Sequence, residues 1–327
     1  MDEKLRLKAA RRQMNQVGWS MLLYMIMMNA VVIVVMAADL FLYCMKEMIL
    51  TNGNMHMDAY WQYCMESMVS NGWGYIITIL IGTGILFLWK KPRYVKNIIF
   101  QKEKKMTFPA FVQLLAVFLS AQAILQLMFP VMEWLMNQIG LSSMAAMEAA
   151  SMQFTSFSML LYAGILGPIS EEILCRGLAL RLLQPYGKRF AIVLSALLFG
   201  LFHGNVVQIP SAVLVGLVLG YVTVEYSILW AIILHVINNL VLGEGMMLLY
   251  EFLPPMTVDI LFYAILGVSL VASVILIIVK RKDVAAYYRQ NKITFFSVEA
   301  AASSVPMWLF IAVMLLLGFV SITPLYV

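Results

Sequence analysis

A cluster of seven ionisable or asparagine side chains lies within apolar stretches between residues 154 and 248, away from the ends of these stretches. They are Glu171, Glu172, Arg176, His203, His235, Asn238 and Asn239. Ionisable groups inside an apolar helix cost free energy, so such a cluster indicates a functional site. A carboxylate beside an imidazole can act as a general base, and imidazole or amide N–H groups can stabilise an oxyanion. The cluster therefore predicts acid–base chemistry.

The spacing of these residues predicts that four of them meet at one depth. Residues 185–187, Pro-Tyr-Gly, form a turn that joins two apolar stretches into a hairpin. At about 1.5 Å per residue, Glu171 and His203 both lie roughly 22–26 Å from this turn. His235 and Asn239 are spaced i, i+4 on one helix face, and they lie about 14 and 20 Å beyond the next turn on the same side. We therefore expect these four side chains to converge.

Some of these residues also have a structural interpretation. Glu172 and Arg176 are spaced i, i+4 and can neutralise each other, so we assign this pair a structural role. Glu171 is then left without a partner in its own helix, which favours a function for this carboxylate. Asn239 could instead hydrogen-bond between helices. Asn238 lies about 100° around the helix from Asn239 and is expected to be a packing residue.

The elements that carry these residues are predicted to be membrane-spanning helices. The chain of 327 residues is 63% hydrophobic and 12% charged, with a mean hydropathy of +0.88, whereas soluble domains are about 25% charged. Only helices or closed barrels satisfy the backbone in lipid. At about 20 residues per span, we predict an all-α, polytopic transmembrane helix bundle with about eight or nine spans. The predicted segments are 19–44, 72–89, 108–130, 154–184, 189–206, 209–225, 227–248, 258–279 and 306–325.

The formal net charge of +5 is concentrated on one side of this predicted bundle. With nine spans, every Lys and Arg except Lys46 and Arg176 falls at the N-terminus or in loops on the same side. The positive-inside rule then places the N-terminus in the cytoplasm and the C-terminus outside, in what we predict to be a bacterial cytoplasmic membrane. The basic charge needs no nucleic-acid partner. Cys44 and Cys64 border the first external loop, where a disulfide could form.

Three short motifs resemble those of one protein family. Residues 171–176 (EEILCR) are similar to its EExxxR motif, residues 199–203 (FGLFH) to FxxxH, and residues 235–239 (HVINN) to HxxxN. The three occur in that order along the chain. The sequence therefore resembles the CPBP group of intramembrane proteases, which includes CAAX prenyl endopeptidases and bacteriocin-processing enzymes and is also called the Abi family.

The resemblance implies a role for each motif residue. Glu171 would activate a water molecule with help from His203, and the other two polar residues, His235 and Asn239, would hold the oxyanion. The remaining motif residues would be structural: Glu172, Arg176 and Phe199. The group is also described as metalloproteases, and zinc bound by Glu171, His203 and His235 is the alternative. No HExxH motif is present, and we favour a metal-free glutamate mechanism without a cofactor.

The predicted organisation has four regions: a cytoplasmic basic N-terminus (1–18), N-terminal transmembrane helices with external loops (19–153), a CPBP-type catalytic helix core (154–248) and C-terminal transmembrane helices (249–327). The expected partners are the lipid bilayer and a peptide or protein substrate within or at the membrane, such as a lipidated peptide or a leader peptide. CAAX cleavage requires a prenylated partner, which a bacterial cell would not normally supply. Two alternatives stay open: a non-catalytic membrane scaffold that regulates a partner protein, and an ion-coupled transporter. The sequence offers no matching pair of broken helices, which argues against the transporter.

Overall fold

The computed structural model describes residues 3–52, 57–89, 94–150 and 156–325, and almost all of these residues are helical. We number the helices along the chain: α1 (Glu3–Leu50), α2 (Met57–Ser70), α3 (Trp73–Trp89), α4 (Phe108–Asn137), α5 (Met144–Ala150), α6 (Phe157–Tyr186), α7 (Lys188–Phe202), α8 (Gln208–Glu225), α9 (Ile228–Phe252), α10 (Pro255–Val279), α11 (Arg281–Gln290), α12 (Phe295–Ala302) and α13 (Val305–Val320). A short π-helical turn covers Val95–Ile99, and two short strands, β1 (Leu141–Ser142) and β2 (Thr323–Pro324), pair antiparallel. The predicted all-α fold class is confirmed.

Each of the nine predicted spans contains a described helix, but not every helix is long enough to cross a bilayer by itself. Six helices are long and apolar enough: α1, α4, α6, α8, α9 and α10. A seventh span results if α12 and α13, which meet at a bend of 72°, are counted together. Helices α3 and α7, with 17 and 15 residues, are shorter. The predicted count of eight or nine spans includes these two short helices. The chain is an integral membrane protein.

The helices that carry the motifs form the centre of the bundle. Helices α6, α7, α8 and α9 pack against one another, with α1, α3 and α13 on one flank and α4 and α10 on the other. The hairpin of α7 and α8 is closely packed because Gly200 faces the neighbouring helix. A Cβ atom at this position would lie 2.8 Å from the carbonyl oxygen of Ile209, so no larger residue fits without a shift.

The basic loops meet at one end of the molecule around a buried carboxylate. Glu225, at the end of α8, pairs with Lys104 at 2.7 Å and with Lys188 at 2.9 Å, and it accepts a hydrogen bond from the Tyr287 hydroxyl at 3.3 Å. The hydrogen bond to Glu225 raises the pKa of the Lys104 ammonium above its usual range. The sequence suggested only that Glu225 lies near a helix end. The structure shows that it joins the segment before α4, the start of α7 and helix α11.

The start of α1 and strand β2, the first and last described elements, lie at opposite ends of the bundle. At the end with the basic loops, the Arg6 guanidinium lies 5.6 Å from the centre of the Phe296 ring, and the Tyr186 hydroxyl donates to Gln13. At the other end, β2 pairs with β1, just beyond the last turn of α4. This arrangement agrees with an odd number of spans. Which end faces the cytoplasm stays a prediction, as do the four region boundaries. Both Cys44 and Cys64 are free thiols in the structure.

Candidate active site

Helix α6, which carries the two glutamates, is not a regular α-helix. It changes from α-helical to π-helical hydrogen bonding over Tyr162–Leu166, returns to α-helix over Gly167–Glu172, and is π-helical again over Ile173–Leu180. Pro168 lies in the first turn of the middle segment. Proline has no backbone N–H, so a continuous α-helix would lack one hydrogen bond at this position. Wide π turns of this kind occur frequently at functional sites. The acidic pair therefore lies on a short α-helical segment between two π-helical ones.

Glu172 and Arg176 form an ion pair that is closed to solvent. Both side chains are fully buried, and Arg176 Nη1 lies 3.2 Å from Glu172 Oε1. The guanidinium also donates to the carbonyl oxygen of Gly216 at 3.3 Å and lies 4.1 Å from the centre of the Phe199 ring. The predicted pairing is present. The neighbouring helices α7 and α8 therefore supply one hydrogen bond and one ring contact, while Arg176 Nε and Nη1 are buried without a hydrogen-bond partner among the described residues.

His235, on α9, lies between the two carboxylates of α6. Its Nδ1 is 3.0 Å from Glu172 Oε1, and its Nε2 is 3.8 Å from Glu171 Oε2. A carboxylate only accepts hydrogen bonds, so Nδ1 carries a hydrogen. Glu172 therefore does more than neutralise Arg176, because it also orients the imidazole. Glu171, whose side chain is 26% exposed, therefore has an imidazole from another helix beside it.

His203 is held by the backbone at the end of α7. Its Nδ1 lies 3.0 Å from the carbonyl oxygen of Phe199, which can only accept, so Nδ1 is the protonated nitrogen. In the neutral ring, Nε2 is then left as a hydrogen-bond acceptor. The next residue, Gly204, has φ +57°, a left-handed conformation that ends the helix and that glycine adopts without strain.

The Phe199 ring contacts the three cationic or imidazole side chains of the motifs. Its centre is 4.1 Å from the Arg176 guanidinium, and it meets the rings of His203 and His235 edge-on at 5.0 and 5.7 Å. The negative face of an aromatic ring attracts a cation, and edge-on contacts are favoured between rings. Phe199 therefore contacts side chains of α6, α7 and α9 at this level, and its structural role stays a prediction.

Asn239 belongs to a chain of hydrogen-bonded amides. Its Nδ2 donates to the carbonyl oxygen of Ala163 at 3.0 Å, and its Oδ1 accepts from Asn238 Nδ2 at 3.0 Å. Asn238 Oδ1 in turn accepts from Gln122 Nε2, on α4, at 2.9 Å. Asn238 is therefore not a packing residue, contrary to our expectation. The angle of about 100° between the two residues holds for a regular α-helix, whereas α9 is π-helical over Ile237–Gly245.

The four predicted site residues face one cavity. Glu171, His203, His235 and Asn239 all line a space of about 570 Å³ between α4, α6, α7, α8 and α9. Glu171 and His203 also line a second, smaller cavity of about 180 Å³ on the side of α1 and α3. The larger cavity is mainly apolar away from the motif residues, with side chains such as Leu242, Met246 and Phe262. The convergence predicted from residue spacing is therefore present in the structure.

The three candidate zinc ligands do not converge as a metal site. In the ranges that the structure describes, no group of three or more His, Cys, Asp or Glu side chains lies close enough together to hold a metal ion. His203 directs Nδ1 to a backbone carbonyl, and His235 directs Nδ1 to Glu172 and Nε2 toward Glu171. These contacts engage the Nδ1 atoms and leave the Nε2 atoms without a hydrogen bond to any described residue, so zinc held by Glu171, His203 and His235 stays the alternative to the metal-free mechanism.

The comparison with protein families matches the region that carries these motifs. Residues 153–241 match the family described as Type II CAAX prenyl endopeptidase Rce1-like. Residues 153–241 are called the Rce1-like domain below, after the family that they match. The match covers about a quarter of the chain and agrees with the resemblance to CPBP intramembrane proteases. It supports an intramembrane endopeptidase. No curated protein and no solved structure matches the chain.

Sequence reasoning missed one member of the site entirely and misassigned another. Gln122 lies on α4, outside both the motifs and the Rce1-like domain, and it reaches Asn238 across the cavity. A polar residue in an otherwise apolar span was the available signal, because amides in lipid-embedded helices tend to hydrogen-bond across helices. Asn238 was misassigned because a regular helix was assumed around it.

Proposed function

We propose that this protein is an intramembrane endopeptidase that hydrolyses a peptide bond with a water molecule activated by Glu171. The observation that supports this most directly is the arrangement of Glu171, His203, His235 and Asn239 around one cavity in a membrane-embedded bundle. The four groups provide both parts of amide hydrolysis, namely a base for the water and donors for the oxyanion.

Glu171 and His203 form the side of the site that activates water. Glu171 is the partly exposed carboxylate of the acidic pair, whereas Glu172 is fully buried and already bonded. In its neutral form, His203 presents an unprotonated Nε2, because its Nδ1–H is directed at the Phe199 carbonyl. A water between them donates one hydrogen to Glu171 and the other to His203, which directs its lone pair at the substrate carbonyl. Glu171 takes the proton as the oxygen attacks and passes it to the leaving amine.

His235 and Asn239 form the side that stabilises the oxyanion. His235 must carry hydrogen on both nitrogens to donate from Nε2, because Nδ1–H is already directed at Glu172. With both glutamates ionised, the charges of Glu171, Glu172, Arg176 and His235 then sum to zero. The distance of 3.8 Å from Nε2 to Glu171 is too long for a hydrogen bond, so the N–H is available to a third acceptor. That acceptor is the oxyanion.

The proposed substrate is a membrane-associated peptide. The larger cavity is lined mainly by apolar side chains from α4, α8, α9 and α10, with polar ones at the motif residues and elsewhere, such as Gln126, Gln208 and Ser211. Sites of this composition bind apolar ligands and fix their orientation through the polar groups. Its volume of about 570 Å³ can hold a few apolar residues or a lipid chain. A leader peptide, a lipidated peptide and a membrane-anchored regulator all have this character. The positive-inside rule places the N-terminus and the basic loops in the cytoplasm.

A comparison of cleaved membrane peptides tests this function and identifies the substrate. Membranes from cells that produce the wild type, Glu171→Gln or neither protein are analysed for new peptide termini. Termini that appear only with the wild type define the cleavage site, and a fluorogenic peptide that spans it is called the reporter peptide below. A second peptide with a farnesylated cysteine tests prenyl dependence. If wild type and Glu171→Gln give the same set of termini, the protease proposal fails and the scaffold alternative is favoured.

A further inference from the structure

Three amide side chains connect helix α4 to the proposed oxyanion donor. Gln122 Nε2 donates to Asn238 Oδ1 at 2.9 Å, and Asn238 Nδ2 donates to Asn239 Oδ1 at 3.0 Å. Asn239 Nδ2 donates to the carbonyl oxygen of Ala163, on α6, at 3.0 Å. The series therefore runs from α4 through α9 to α6. All three amides line the larger cavity, as does Ala163.

The direction of this series is set by its last member. A backbone carbonyl only accepts, so the Ala163 oxygen requires the NH₂ group of Asn239 on its side. The Asn239 oxygen then faces Asn238, which must present its own NH₂ group. The Asn238 oxygen finally requires the NH₂ group of Gln122. Turning any one amide around would bring two oxygens or two NH₂ groups together, a contact that costs about 1–3 kcal/mol when buried.

The same orientation determines what Asn239 can do in the cavity. An asparagine amide has two N–H donors, and Ala163 takes one of them. Among the described residues, no protein acceptor bonds to the second N–H. We propose that Gln122 is a positioning residue that acts through Asn238 to keep this second N–H of Asn239 directed at the oxyanion. The inference rests on the proposed function, and it extends the site to a helix outside the Rce1-like domain.

Two substitutions at position 122 perturb the series in different ways. Gln122→Leu removes the donor to the Asn238 oxygen, so the series is held only by the Ala163 carbonyl at its other end and the Asn238 and Asn239 amides are less firmly fixed. Gln122→Glu, when ionised, presents only acceptors and favours the reversed orientation, in which the Asn239 oxygen faces Ala163. A protonated Glu side chain can donate again and restores the original direction. Gln122→Glu should therefore recover activity relative to the wild type as the pH falls through the pKa of the introduced carboxyl.

The experiment measures kcat and KM for the reporter peptide with purified protein. We expect Gln122→Leu to lower kcat about fivefold with KM unchanged, a factor that corresponds to about 1 kcal/mol for one neutral hydrogen bond. At alkaline pH, Gln122→Glu should lower kcat by more than Gln122→Leu does. Neither change should lower kcat further in an Asn239→Ala background. Gln113→Leu is the matched control, because Gln113 is also a hydrogen-bonded glutamine on α4 but bonds to Lys280 away from the cavity.

The outcomes separate this inference from the function on which it rests. If Asn239→Ala lowers kcat but both Gln122 variants match the wild type, the positioning role is wrong and the proposed mechanism stands. If Asn239→Ala has wild-type kcat, the oxyanion role of Asn239 fails and the positioning role fails with it. A loss in Gln122→Glu that does not vary with pH would also contradict the inference. If Gln122→Leu does not fold, Asn238→Leu interrupts the same series and must give the same loss of kcat.

Discussion

Replacing Arg176 by alanine tests how far the buried ion pair stabilises the helix core. The guanidinium lies 3.2 Å from Glu172 and 4.1 Å from the Phe199 ring centre, and both members of the pair are fully buried. Removing one partner of a buried pair costs about 3–5 kcal/mol, because the other charge stays buried without compensation. The lost cation–π contact adds about 2 kcal/mol, while His235 offsets part of the loss by its own contact with Glu172. We expect a decrease of about 3–5 kcal/mol in the free energy of unfolding.

The assay is reversible unfolding of purified variants in mixed micelles with increasing denaturing detergent. Arg189→Ala is the matched control, because the Arg189 guanidinium also lies 4.1 Å from a ring, that of Tyr288, and no described carboxylate pairs with it. The control should lose only about 0.5–1 kcal/mol. Glu172→Gln combined with Arg176→Met removes both charges and should recover most of the lost stability. The reasoning is refuted if Arg176→Ala costs no more than Arg189→Ala, or if the double variant is less stable than Arg176→Ala alone.

Four further predictions address other parts of the molecule. Because the hydrogen bond to Glu225 raises the pKa of Lys104, the stabilisation from this ion pair is present at neutral pH and is lost as the pH rises through the raised pKa. The melting temperatures of wild type and Lys104→Met should therefore converge at alkaline pH. A difference between the two melting temperatures that stays constant with pH would contradict this. Cleavage of the reporter peptide should survive exhaustive chelation, whereas activity that disappears and returns with zinc would favour the metal alternative. Cysteines introduced at the two termini should react from opposite sides of the membrane, the N-terminal one from the cytoplasm; labelling of both from one side would remove a span. Asn239→Ala should lower kcat about 10²–10³-fold, and an unchanged kcat would exclude it as an oxyanion donor.

Residue spacing was sufficient to predict which helices meet and at what depth. The hairpin turn at 185–187 sets Glu171 and His203 at equal distances along neighbouring helices, and this geometry depends only on the constant rise of a helix. The positions of the spans could be predicted from hydropathy, because a helix that crosses a bilayer needs about 20 consecutive, mainly apolar residues. The short helices α3 and α7 were found because turns and polar residues delimit them, although neither is long enough to meet a length criterion.

Contacts across helices were harder to predict because they depend on irregular backbone and on side-chain direction. The i, i+4 rule paired Glu172 with Arg176 correctly, but it gave no sign that His235 bonds to the same carboxylate. The π-helical segments on α6 and α9 have no clear sequence signature, so the position of Asn238 relative to Asn239 was misjudged. Glu225 was placed at a helix end, but its two lysine partners come from loops distant in sequence.

The most direct test of the central claim is the rate at which purified Glu171→Gln cleaves the reporter peptide. Glutamine has nearly the same volume as glutamate but cannot accept the proton from water, and general-base catalysis contributes about 10²–10⁴ in rate. Glu299→Gln makes the same chemical change on an exposed face of α12 and serves as the control. We predict that Glu171→Gln folds with normal yield and cleaves at least about 10²-fold more slowly, while Glu299→Gln matches the wild type. Cleavage by folded Glu171→Gln at the wild-type rate would show that this carboxylate is not the base.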